Sequence, residues 1–434
     1  MQLMAAFPIH VYAEPAKREV PDYDGRPEQH SVGETLLVVP RVLFSPLYVV
    51  SEYVVRRPLG FLVSAAERAN LPEALYDFFV FGPNHSAGLL PIAFVDFGFY
   101  PSVGLYFFCN DAFTPGHDLK LRGSTWGEHW LAGSWSDTFH LDPTTDLVFV
   151  ASAVRRPDYR FYGIGPSTLE ADRSRYGASR LEAGLQLELA LGGLSRFESG
   201  VGVRRVHFHR GGFDEDPTLE RNVARERFPE PDGHARGYTL LYNHASLTVD
   251  TRHARPAPAS GFRVELRAEQ LSQLEPQASG GFVRYGASAG GFLDLGGHNR
   301  VVSVSVALSF IDPLLAGAPV PFTELAAIGG GESMRGFAPG RLLGRSSAVA
   351  TLRYRWPIWV WLDGSIQLAT GNVFDAHLAG FEPALLRLSG AIGIESVGAP
   401  DSSLELLIGA GTETFQHGTQ VTSLRVILGS NHGF

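Results

Sequence analysis

From position 87 onward, apolar residues recur at every second position, in segments longer than a soluble sheet usually supplies. Over 301–310, Val302, Val304, Val306, Leu308 and Phe310 share one face, and Ser303, Ser305, Ala307 and Ser309 the other. Over 262–269, Phe262, Val264, Leu266 and Ala268 oppose four charges: Arg263, Glu265, Arg267 and Glu269. Leu181, Ala183, Leu185, Leu187, Leu189 and Leu191 oppose Glu182, Gln186 and Glu188. Leu404, Leu406, Ile408 and Ala410 oppose Ser403, Glu405, Leu407 and Gly409. A period of two puts one apolar and one wet face on a strand. A soluble sandwich with a solvated outer face could read this way. So could a closed barrel with lipid outside and water inside. The number of strands, the charged and small residues on their polar faces and the near absence of intervening helix select the barrel. The pattern gives about sixteen strands, an even number as in single-chain bacterial barrels. The expected fold is therefore all-β and transmembrane, an antiparallel outer-membrane barrel with a short helical segment before it.

Composition removes other classes. Net charge is −9, which argues against a nucleic-acid partner. Cys109 is the only cysteine, so neither an intramolecular disulfide nor a thiolate metal site can form. No apolar run reaches the about 18 residues of a membrane-spanning helix. Gly331-Glu332-Ser333-Met334-Arg335 resembles a nucleophile elbow only until Arg335 takes the place of its last glycine. His207 and His209 share a strand face, but no third ligand accompanies them, and a solvated face explains them better than a metal. No phosphate loop or dinucleotide fingerprint occurs, so the chain reads as a non-enzyme without cofactor or metal.

Residues 1–34 read as an export-signal remnant and a Pro- and charge-rich linker. Residues 35–86 read as a helical periplasmic cap: Val42, Leu43, Leu47, Val50, Val54 and Val55 have helical spacing, and Pro58 and Pro72 could open two further helices, over 59–70 and 73–81. Helices lying on the membrane surface are the alternative, although basic residues on the polar side are few. Residues 87–434 form the barrel.

One long segment, 312–345, breaks the alternation. It carries Gly330-Gly331-Glu332-Ser333-Met334-Arg335-Gly336-Phe337, then Gly340-Arg341 and Gly344-Arg345. Loops of this length are functional or disordered, and Leu314, Phe322, Leu325, Ile328, Met334 and Phe337 make this one too apolar for disorder. It is expected to fold back into a polar interior with Arg335 as its anchor.

This stretch resembles the inward-folded loop of BamA/TamA-type surface-antigen barrels, with their (Val/Leu/Met)-Arg-Gly-(Phe/Tyr) motif. Leu352-Arg353-Tyr354-Arg355-Trp356-Pro357-Ile358, Gly371-Asn372-Val373-Phe374-Asp375, Phe161-Tyr162-Gly163-Ile164-Gly165 and Leu247-Thr248-Val249-Asp250-Thr251-Arg252 resemble further signatures in the family's order. The resemblance implies a sixteen-stranded barrel of the Gram-negative outer membrane whose first and last strands meet at a weak seam. It implies an assembly or translocation factor that inserts or translocates proteins, or lipids. The alternative is a passive or structural barrel that keeps the fold alone. Implied partners are outer-membrane lipids, unfolded outer-membrane or secreted proteins, and an accessory periplasmic subunit or lipoprotein.

Two departures stand out. Members usually carry POTRA modules before the barrel, and 42–81 does not fit one. Members usually pair the loop arginine with acids on the next two strands, where this chain has Arg353 and Ala369. Asp363, Glu265, Glu269 and Glu405 share the inward parity and are the candidate replacements, with Arg353 beside them. The seam is expected between 87–99 and 419–428, marked by Pro91, which has no amide hydrogen, and by Gly433 and the terminal Phe434.

Overall fold

The computed structural model describes residues 68, 74, 77–128, 130–252, 260–274, 280–295, 299–331, 333–359, 362–397 and 404–430. Within them sixteen strands close into one antiparallel ring. In chain order they are β1 (Ala87–Asp96), β2 (Ser102–Cys109), β3 (His117–Trp126), β4 (Trp130–Asp142), β5 (Thr145–Phe161), β6 (Ser174–Gly192), β7 (Ser195–Arg210) and β8 (Tyr238–Asp250). There follow β9 (Gly261–Gln273), β10 (Gly281–Asp294), β11 (Val301–Pro313), β12 (Ser346–Trp359), β13 (Leu362–Phe374), β14 (Arg387–Ser396), β15 (Leu404–Thr412) and β16 (Val421–Ser430). Each strand pairs with its sequence neighbours, and β16 pairs with β1.

The outward positions are those the alternation marks. Val304 is 58% exposed and Leu424 76%, values that only a lipid-facing surface explains for so many large apolar side chains. No helix among the described residues is long and apolar enough to cross a membrane. The inward faces are not hollow. Near one end Phe161, Tyr176, Phe208, Tyr238, Leu240, Leu271 and Phe282 pack around Phe322.

Connections differ between the two ends. The β4–β5 and β6–β7 turns are two residues each: Asp142 accepts Thr144 N at 2.8 Å in one, and Gly193 (φ 60°) turns the other. The connections 162–173, 211–237 and 314–345 stand at the opposite end. The Tyr100-Pro101 turn also stands there, despite its brevity. The reason is order: every connection leading from an odd to an even strand lies at that end, whatever its length.

Strand limits shift by a few residues. The first strand stops at Asp96, where Phe99 N bonds Asp96 O at 3.0 Å to start a turn, and the last begins at Val421, after Thr419 with φ 53°. Of 35–86, the structure describes Arg68, Ala74 and 77–86. Asp77, Phe78 and Phe79 are helical, but Val80–Phe81 is a strand paired with Gly88 and Ala87, so the third expected helix ends before Val80. The rest of that segment, the 1–34 stretch, Glu332, Gly433 and Phe434 lie outside the described residues.

Candidate functional site: the lumen loop and the junction it leans on

The β11–β12 connection turns back into the barrel and has structure of its own. A 3-10 turn, Phe322–Glu324, leads into Ala326–Ile328, which pairs antiparallel with Leu342–Gly344. Three-residue strands are too short to show a period, which is why the segment read as irregular. Glu324 anchors the base. It is 3% exposed, and its carboxylate accepts Arg204 Nη1 at 2.7 Å and Tyr238 OH at 2.8 Å, with Arg284 Nη1 3.5 Å away. Charge-assisted bonds of this kind compensate the burial of the carboxylate.

At the apex, Gly330 N donates to Phe337 O (2.9 Å) and Phe337 N to Met334 O (3.0 Å). Met334 has φ 51°, a left-handed conformation that costs a non-glycine residue about 1–2 kcal/mol. Its side chain is buried with Ile328, Phe337, Leu342, Val349 and Val373, which offsets that cost. Gly336 lies directly on the backbone of β15. A Cβ there would sit 2.0 Å from Ala410 O, and one on Gly411 would sit 2.4 Å from the Phe337 ring. The Gly-Phe pair is thus a contact device, with bare backbone on both sides. Gly336 N donates to Ser389 Oγ of β14 (2.9 Å), and Ser423 Oγ of β16 donates to Gly336 O (2.8 Å). Gly331 is exposed at the tip.

Arg335 is buried and forms an ion pair with Glu405 of β15. The other candidate partners sit elsewhere. Asp363 faces Arg355 Nε at 3.3 Å, Arg353 donates to Glu395 at 2.7 and 2.6 Å, Glu265 takes Arg263 at 2.8 Å, and Glu269 takes Arg284 Nε at 2.9 Å. Parity decides inside from outside but not position around the ring. Glu265 and Glu269 stand on β9, six strands from β15.

Past Gly340 (φ 73°), Arg341 is 1% exposed. It donates to Thr168 Oγ1 (2.9 Å) and Thr168 O (3.1 Å), lies 3.2 Å from Glu170 and covers Tyr162 at 4.6 Å. Arg387 of β14 reaches the same Thr168 O (2.7 Å) and Glu413 (2.6 Å). Gly165 N donates to Leu343 O at 2.8 Å. The Phe161–Gly165 signature therefore leads into the segment on which the loop docks. Burial pushes the Glu170 carboxyl up despite Arg341 and Arg173. Burial also acts to raise Glu413, but Arg387 and Arg341 together hold it below the ordinary glutamate value.

Among the described residues the junction of β1 and β16 has the shortest register in the ring. Among the described residues three positions pair: Ile427 with Asp96, Leu428 with Val95 and Gly429 with Phe94. The next shortest junctions, β2 with β3 and β14 with β15, are each seven positions long. Pro91 lies below this contact, opposite Leu105 of β2. Side chains reinforce what the backbone lacks. Arg425 of β16 donates to Asp96 of β1 (Nη2 to Oδ2, 2.9 Å) and to the loop carbonyl Gly330 O (2.8 Å), with Arg335 O at 3.5 Å. One arginine joins first strand, last strand and loop apex. At the top of β1, the Gly98 carbonyl accepts from Arg160 (3.0 Å) and Arg175 (2.7 Å), and Tyr100 N donates to Asp158 (2.7 Å).

Sequence reasoning missed Asp96, Glu324, Thr168, Ser389 and Glu413. Two of these left a signal. An inward Arg425 on the last strand requires an acid, and Asp96 is the acid at the end of the first. Glu324 is a lone acid within an apolar run, facing inward arginines on several strands.

A ring of this size, lipid-facing outside and plugged from one long connection, defines an outer-membrane β-barrel with a lumen loop. The Omp85 superfamily domain matches residues 143–376, more than half the chain, and the chain belongs to that superfamily. Its fold is similar to that of BamA from Haemophilus ducreyi solved without POTRA domains 1–3: TM-score 0.55 at 16% identity, over 80% of this chain and 70% of that one. It is also similar to CdiB from Escherichia coli: TM-score 0.50 at 12% identity, over 79% of this chain and 62% of that one. No curated protein sequence matches the chain.

Proposed function

We propose that this barrel acts in the outer membrane of a Gram-negative cell as an assembly or translocation factor, inserting or passing polypeptides through the β1–β16 junction. The observation that carries this reading is the junction itself, paired at three positions where the next shortest hold seven. Each backbone hydrogen bond contributes about 0.5–1.5 kcal/mol net, so this is the place where the ring opens at least cost. Opening there needs no nucleotide. Membership of the superfamily supports the same role, with unfolded outer-membrane or secreted proteins as substrates.

Cysteines at Val95 and Leu428, which pair in register, test it in a Cys109→Ser background. The variant is reconstituted into vesicles, and the folding of an unfolded outer-membrane barrel is followed. Oxidation is expected to stop the assisted folding and reduction to restore it. Full activity with the junction crosslinked overturns the lateral opening and leaves the passive-barrel reading ahead.

A further inference from the structure

Outside β5–β7, the outward positions of the described strands hold no arginine or lysine. On β5–β7 four arginines stand at outward parity; Arg160 and Arg175 are taken up by the Gly98 carbonyl, which leaves Arg155 and Arg205. Arg155 and Arg205 are both exposed, and among the described residues neither has a hydrogen bond or ion pair. Arg155 pairs in register with Leu131 and Ser179, and Ser179 with His207, which is also exposed. Arg205 lies opposite Leu181, one row below. Leu131 (63% exposed) and Leu181 (54% exposed) mark this face as the outer one.

The level of these cations follows from the strand beside them. On β6 the outward residues from Leu181 to Leu191 are apolar throughout. That span matches the about 9–11 residues with which a tilted strand crosses the hydrocarbon. Arg155, Arg205 and His207 therefore stand at its upper edge, on the side of the long connections. Asp158, further along β5, is fully buried and taken by Arg156 at 2.7 Å, so it does not neutralise them. A lipid-facing arginine costs about 2–4 kcal/mol at the bilayer midplane and little near the interface. A partner here must meet an apolar wall below and cations above, which is the build of an amphiphile.

We propose that Arg155, Arg205 and His207 dock the phosphorylated headgroup of a lipid in the leaflet on the long-connection side, its acyl chains lying along Leu181, Leu185 and Val203. Guanidinium groups suit phosphate oxygens through paired N–H donors. The proposal rests on the wall facing lipid and is independent of any opening at the junction.

The test uses the whole barrel in detergent, mixed with bisphosphorylated lipid A, with its dephosphorylated form, or with inorganic phosphate as competitor. Bound lipid is counted by native mass spectrometry. Lipid A is expected to stay bound, the dephosphorylated form to be lost and inorganic phosphate to displace little. An Arg155→Ser/Arg205→Ser/His207→Ser variant should retain about tenfold less. An Arg155→Lys/Arg205→Lys variant should retain most, and both should keep the heat-dependent gel shift of a folded barrel. Wild-type retention by the folded serine variant overturns the site, as does equal binding of the dephosphorylated lipid. Loss of a co-purifying polypeptide in place of lipid makes the patch a protein surface and overturns it too.

Discussion

The β6–β7 wall and the β1–β16 junction belong to one sheet but are held together differently. β6 and β7 face each other from Tyr176 and Arg210 down to Gly192 and Ser195, almost their whole length. β1 and β16 share three paired positions, and their principal tie is a side-chain pair, Asp96 with Arg425. A wall built from backbone bonds is indifferent to most single substitutions. A junction with three paired positions and one buried ion pair is sensitive to each of the two residues that form the pair. Stability is thus spread along one region and concentrated at a point in the other.

The strongest way to break the comparison is Arg425→Ala. It leaves Asp96 buried without its cation and releases Gly330 O, and breaking a buried pair costs about 3–5 kcal/mol. Amides of Phe94, Val95 and Asp96 should exchange much faster, with β6–β7 amides unchanged. Equal protection at the junction would mean that the three backbone pairs suffice. Arg335→Ala leaves Glu405 buried without its cation, also at about 3–5 kcal/mol, but its effect should stay local because the loop keeps Glu324, Arg341 and the Gly336 contacts. Limited proteolysis should cut near the apex while the barrel stays folded; an uncut loop would assign the anchoring to Gly336 and Phe337.

The smallest effect is a pH dependence at Glu413. Its folded value lies below the ordinary one, so the grip of Arg387 on it is complete above the ordinary glutamate range. That grip is lost as the pH falls through the depressed value. Glu170, raised by burial, works with the opposite sign: its contribution declines as the pH rises from the ordinary value to the raised one. Exchange in 413–420 should therefore quicken only in acid below the ordinary glutamate range. Glu413→Gln should abolish that acid dependence, and its persistence would place the titrating group elsewhere.

The sequence carries the wall more fully than the site. Alternation at Leu181–Leu191, Val302–Phe310 and Leu404–Ala410 specifies which face meets lipid, because a one-residue slip would reverse it. It also turns Arg335's partner Glu405 inward and Arg425 with it. What alternation does not carry is angular position around a closed ring, so Glu265, Glu269 and Asp363 looked as eligible as Glu405. The anchors Thr168, Ser389 and Ser423 are small polar residues, and their role depends on a group brought near by distant chain: the Arg341 guanidinium for Thr168, the Gly336 amide and carbonyl for the two serines. No local pattern encodes such a meeting.

The lumen loop also has a mechanical meaning. It is tied to β14, β15 and β16 through Ser389, Glu405 and Ser423, and to the β5–β6 connection through Thr168. A tie of that kind is a chord across a hoop. It fixes the spacing of the two places it joins, so a break between β16 and β1 cannot let the whole hoop gape. Only the short arc from β1 to β4 is left to bow. Its far end is riveted by Arg160 and Arg175 at Gly98, which limits how far that arc can travel while the loop is in place.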